Sequence, residues 1–144
     1  KRFDEALKVQ PNNAELHSSR GVALRGLERY EEAEKGYERA LALDASQLDP
    51  YYNLCVLHHQ FTNNYEAAEK YCSQYRERID RSHKKWREIT KRVRSITDTL
   101  EALRADAAAT AEEMANDSAE PTDAPAPDEG QPDAERAPTE DKTP

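Results

Sequence analysis

The sequence predicts an all-α fold: a right-handed solenoid of antiparallel helix pairs, closed by a long C-terminal capping helix and followed by a disordered tail. Three observations carry this expectation. The chain repeats itself, with Gly21 lying 34 residues before Cys55, and Tyr30 and Ala33 each 35 residues before Tyr65 and Ala68. A period of that size marks a stack of helical hairpins in which no hairpin buries its apolar face alone. From Trp86 onward, apolar residues recur at 86, 89, 93, 96, 100 and 103 with no Gly or Pro among them, the signature of one continuous amphipathic helix. Residues 116–144 hold six of the eight prolines and no Val, Ile, Leu, Met, Phe, Tyr or Trp, too little apolar surface to offset the entropy of ordering a chain.

The elements follow in order. Residues 1–13 carry Phe3, Ala6 and Pro11 at the spacing of a second helix and its terminating turn, so the sequence is expected to begin partway through a repeat. Residues 14–47 form the first full unit. Residues 48–82 form the next, longer by one residue near Thr62–Asn64. Residues 83–115 form the capping helix, with Ser82 as its expected N-cap, and 116–144 the tail. Where two helices cross closely, a Gly or Ala lets the backbones approach while an aromatic ring fills the wedge beside them. That requirement explains why a stretch as charged as residues 26–46 holds Tyr30, Ala33, Tyr37 and Ala40 at fixed intervals.

Counted from Ala14, the first unit places Gly21 at position 8, Tyr30 at 17, Ala33 at 20, Tyr37 at 24 and Ala40 at 27. In this it resembles the tetratricopeptide repeat. In the second unit, counted from Leu48, Tyr51 and Leu54 take positions 4 and 7, and Ala68 takes position 20 once the extra residue is allowed for. Trp86 takes position 4 of a third first helix. Departures from the pattern are His17 and Arg20, where Trp and Leu are usual, and Cys55 and Cys72, where Gly and an aromatic residue are usual. The resemblance implies packing roles for Gly21, Tyr30, Ala33, Tyr37, Ala40, Leu54, Cys55, Ala68 and Trp86. The segments at residues 21–41 and 49–60 are also similar in style to bacterial cell-envelope repeat proteins, including gliding-motility lipoproteins.

Composition narrows the function classes. The net charge of −8 is concentrated at the end: residues 116–144 hold nine acids against Arg136 and Lys142, whereas the rest of the chain is nearly balanced. No apolar run approaches the roughly 18 residues of a membrane span, and the compartment stays open. Cys55 and Cys72 are expected as small buried apolar residues and not as a disulfide framework. With His58, His59 and His83 they lack zinc-ligand spacing, and no metal or cofactor is expected. With four glycines, no phosphate-cradling loop and no nucleophile motif, no catalysis is expected.

Binding is therefore the expected function. Tetratricopeptide arrays bind peptides on the concave face lined by first helices, and the resemblance places Ser18, Val22, Arg25, Tyr52, Val56, His59, Arg87, Lys91 and Arg94 there. Asn53 sits at a carboxylate-clamp position, but Val22 and Val56 stand where the clamp needs Asn. The expected partner is another protein, as a peptide or helical segment of acidic character. Residues 81–94 carry seven Arg or Lys and one Glu. Nucleic acid is the obvious alternative for this basic patch of Lys84, Lys85, Arg87, Lys91, Arg92 and Arg94, but one basic helix joined to an acidic tail argues against it. Two further alternatives stand beside it: a homodimer formed through the stripe from Trp86 to Leu103, and an acidic tail folded over Lys84, Arg87, Lys91 and Arg94.

Overall fold

The computed structural model describes residues 2–117. Six helices follow one another: α1 (Arg2–Val9), α2 (Ala14–Gly26), α3 (Tyr30–Leu43), α4 (Leu48–Gln60), α5 (Tyr65–Arg78) and α6 (Trp86–Asp117). Every regular element among the described residues is helical, and each helix packs on the next in the chain, with α2 also touching α4. This nearest-neighbour pattern is an α-solenoid. The expected tail lies, from residue 118 onward, outside the described residues.

Local chemistry sets the helix boundaries. Asn13 caps α2 by accepting a hydrogen bond from the Leu16 N–H at 3.0 Å, and Asn64 caps α5 by accepting from the Ala67 N–H at 3.2 Å. The two hairpin turns differ by one residue, three between α2 and α3 and four between α4 and α5, so the extra residue of the second unit falls inside its turn. Glu28 and Asn63 adopt the left-handed conformation in these turns, at φ 60° and 52°. Asn tolerates that region, whereas Glu carries a Cβ penalty there.

In the first hairpin, Ala33, Tyr37 and Ala40 are fully buried. A Cβ placed on Gly21 would lie 2.7 Å from Cε1 of Tyr37, and one on Gly36 would lie 3.1 Å from the His17 carbonyl oxygen. Both glycines are therefore needed for α2 and α3 to close around the Tyr37 ring. Tyr30 is half-buried against the core and meets Phe61 at 5.3 Å between ring centroids.

The second hairpin corrects the expectation for its cysteines. Cys55 and Cys72 are joined in a disulfide, with Cα atoms 4.7 Å apart. Their repeat positions explain it. Cys55 replaces Gly21 and Cys72 replaces Tyr37, the pair that already meets face to face in the first unit, so two sulfurs placed there come within bonding distance. Leu54, Leu57 and Ala68 complete a fully buried core around the bridge.

The capping helix is shorter on its N-terminal side than expected. The Asp80 carboxylate accepts from the Ser82 N–H, the Ser82 hydroxyl and the His83 N–H. Ser82 is therefore committed to a turn and does not cap the helix, which begins at Trp86. Ile89, Val93, Ile96 and Leu100 are buried, and Trp86 packs partly against the core. Leu103, expected to continue this buried stripe, is 50% exposed, because α6 runs antiparallel to α5 and by Leu103 has passed the start of that helix. All of residues 101–117 are exposed.

Candidate concave interface

The first helices of successive units, α2, α4 and α6, are stitched together by polar contacts. Arg25 of α2 donates to the Asn53 side-chain oxygen of α4 at 3.4 Å, and its guanidinium lies 5.9 Å from the Phe61 ring centroid. Tyr52 of α4 donates its hydroxyl hydrogen to Glu88 of α6 at 2.9 Å. Tyr75 stands against one side of the same ring at 5.3 Å, and the Lys85 ammonium lies 3.4 Å from the ring centroid, a cation–π contact.

Arg92 closes the row. Its Nη1 donates to His59 Nδ1 at 3.0 Å and its Nη2 to Glu88 at 3.2 Å, while its Nε is buried without a hydrogen-bond partner. Accepting at Nδ1 requires a neutral His59 ring with its hydrogen on Nε2. Burial and the neighbouring Arg92 charge both push the His59 pKa down, which favours that neutral form. Burial raises the Tyr52 hydroxyl pKa, helped by its bond to Glu88. Glu88 itself is held below the usual carboxylate range: its burial acts upward but is outweighed by Tyr52, Arg92 and Lys85.

His59, Gln60, Glu88, Lys91, Arg92 and Ser95 border an open groove between α4 and α6 of about 270 Å3. It is open and shallow, and side chains of charged and polar residues form its rim.

The residues anticipated for this surface separate into groups. Val22 is exposed, and Arg25, Tyr52, Val56 and His59 are partly exposed along α2 and α4. Ser18 is a correction: it is only 7% exposed, because α2 is covered by α1, α3 and α4 together. Lys91 borders the groove, whereas Arg94 lines a separate depression with Lys91, Ser95, Asp98, Thr99 and Ala102. Arg87 is exposed. The basic patch is thus divided: Lys85 is drawn onto Tyr52 and Arg92 onto His59 and Glu88, leaving Lys84, Arg87, Lys91 and Arg94 toward solvent. Glu88, Gln60 and Ser95 were not anticipated. Repeat spacing could have found Glu88, which follows Arg87 in the same first-helix turn.

Behind the groove lies a second buried cluster. His58 is 2% exposed, stacks on Tyr71 at 5.7 Å and shares a hydrogen bond with Thr62 at 3.1 Å. Glu34 approaches its Nε2 to 3.3 Å without hydrogen-bond alignment. Burial pushes the His58 pKa down, against the opposing pull of Glu34 and Glu38. Tyr71 donates to Glu38 at 3.2 Å and is pushed up to about 12, chiefly by burial. Since Cys55 and Cys72 are bonded to each other, neither offers a thiolate to a metal.

Among the described residues, no helix is long and apolar enough to cross a membrane. None of the curated proteins matches the chain. The similarity to bacterial envelope proteins finds no support here. The family model of the coatomer epsilon subunit aligns with residues 3–107, which take in every helix from α1 into the exposed half of α6. A helical-repeat chain of this kind, whose first helices align along one surface, belongs to the coatomer epsilon subunit family.

Proposed function

We propose that this chain is a non-catalytic interaction scaffold of a vesicle coat complex, holding a segment of a partner protein against the surface formed by α2, α4 and α6. Family membership makes proteins of a coat assembly the natural partners. The observation that carries the finer reading is two sets of contacts, Arg25 to Asn53 between α2 and α4 and the linked Tyr52, Glu88, Arg92 and His59 between α4 and α6, through which side chains of three successive first helices hold one another in place. A surface organised before binding loses less entropy when a partner docks. Val22 and Val56 supply apolar contact between the polar groups, and Lys91 supplies a cation at the groove edge for an acidic side chain of the partner.

The test is incorporation into coatomer assembled from its other subunits. Wild-type chain is expected to co-purify with the complex. The pair Val22→Glu and Val56→Glu is expected to reduce incorporation by at least about tenfold, as charge buried without a partner would, with an unchanged helical circular dichroism spectrum. Equal incorporation of a folded double variant would remove the concave face from consideration.

A further inference from the structure

α6 is polarised along its length. Its first turns carry Arg87, Lys91, Arg92 and Arg94 against Glu88, with Lys84 and Lys85 just before it, whereas residues 101–117 carry Glu101, Asp106, Glu112, Glu113 and Asp117 against Arg104. This runs against the helix dipole, which favours acids near the N-terminus and bases near the C-terminus, and the last turn holds no base. The helix therefore keeps a charge pattern that opposes its own macrodipole.

Two features show where a compensating partner would lie. Successive steps of 100° place Arg87, Lys91, Arg94 and Asp98 on the side of α6 opposite Ile89, Val93, Ile96 and Leu100. Among the described residues these four are exposed, on the side where a further helix of a solenoid would pack. Arg87, Lys91 and Arg94 make no ion pair among the described residues. Beyond Leu100, seventeen residues run on for about 25 Å as helix exposed on every side.

We propose that the open side of α6 pairs antiparallel with α6 of a second copy of this chain. Antiparallel pairing sets Arg87, Lys91 and Arg94 of each copy beside Asp106, Glu112 and Glu113 of the other, twice over about one two-fold axis. Ser95, Ala102 and Ala109, small and seven residues apart, fall on the same side and let the helices approach. Parallel pairing would set like charges together. This surface differs from the buried stripe Trp86–Leu103, whose central residues are already used against α5. It is separate from the concave groove except at Lys91, which borders both.

The experiment is sedimentation equilibrium of the full chain across concentration and salt. The expected mass rises toward two chains at low salt and falls back as salt screens the exposed pairs. Arg87→Glu with Arg94→Glu, or Glu112→Lys with Glu113→Lys, is each expected to weaken association by about tenfold. Mixing the two variants is expected to restore it as a heterodimer, since each then supplies what the other lacks. A single-chain mass at every concentration overturns the proposal. So does an association that neither reversal weakens, or one that mixing fails to restore. Because the reversals lie outside both sets of contacts between the first helices, failure here leaves incorporation into coatomer unaffected.

Discussion

The two hairpins solve the same packing problem with different chemistry. In α2–α3 the crossing is made of size: Gly21 and Gly36 withdraw so that one fully buried ring, Tyr37, sits between the backbones. In α4–α5 the corresponding positions are Cys55, Tyr71 and Cys72. Here a covalent bridge holds the helices where the first unit relies on a ring filling a gap, and bulk moves outward to Tyr71 and Tyr75, both buried at the edge of the core. A solenoid position thus prescribes a distance between helices and leaves open the means of keeping it.

The largest expected effect is on the ring. Tyr37→Ala should cost about 3–5 kcal/mol, the range for emptying an aromatic site in a core, whereas Tyr37→Phe should be neutral or stabilising because the hydroxyl is buried without a partner. Urea unfolding measures both, and a large loss in the Phe variant would mean that the hydroxyl matters more than the ring. Next comes the bridge. Replacing Cys55 and Cys72 with Ala, or reducing them, should cost about 2–4 kcal/mol for a loop of this order. Hydrogen exchange should place the loss in α4 and α5 first; protection unchanged by reductant would show the second hairpin to be independent of its disulfide.

Gly21→Ala should cost about 1–3 kcal/mol by overpacking against the Tyr37 ring and the Ala33 carbonyl. Thermal melts check this, and an unaltered midpoint would mean that the first crossing has room to spare. In the turns the comparison reverses sign. Glu28→Asn, which copies the second unit's choice at Asn63, should stabilise by about 1 kcal/mol through relief of the left-handed backbone, and a lower midpoint would disprove it.

The smallest effect is acid sensitivity, centred on the second unit. His58 and His59 have folded pKa values below the ordinary 6.5, so between that value and the lowered ones the unfolded chain binds more protons. Their contribution is complete above about pH 6.5 and declines as pH falls through the window toward the lowered folded values. Unfolding measured between neutral and mildly acidic pH should lose stability on acidification, and His59→Gln should make that loss shallower. A flat profile in the wild type would place both rings in surroundings indifferent to their charge.

Much of this organisation was legible before any coordinates. Ala33, Ala40 and Ala68 declare themselves because few residues are small enough for a helix crossing, and all three are fully buried. Gly36 belongs to the same set, three residues after Ala33 and four before Ala40 on the same helical side, but the repeat resemblance assigns it no role. The disulfide is not legible along the chain, because a separation of 17 residues carries no signal by itself. Laying Cys55 on Gly21 and Cys72 on Tyr37 brings the two together. Arg92 was seen only as one cation of a basic run, since nothing local to it announces His59, 33 residues away.

Residue size and periodicity alone determined the helical class, the hairpin order and the small-residue crossings, because each depends on a side chain's volume and on the 3.6-residue turn. Only the tertiary structure decided which groups meet across that framework: the bridge at Cys55 and Cys72, the burial of Ser18, the place where α6 leaves the core, and the division of one basic stretch between an inner groove and an exposed side of α6. Those outcomes rest on the angle at which one helix crosses another, and that angle is set by the packed neighbours as a body.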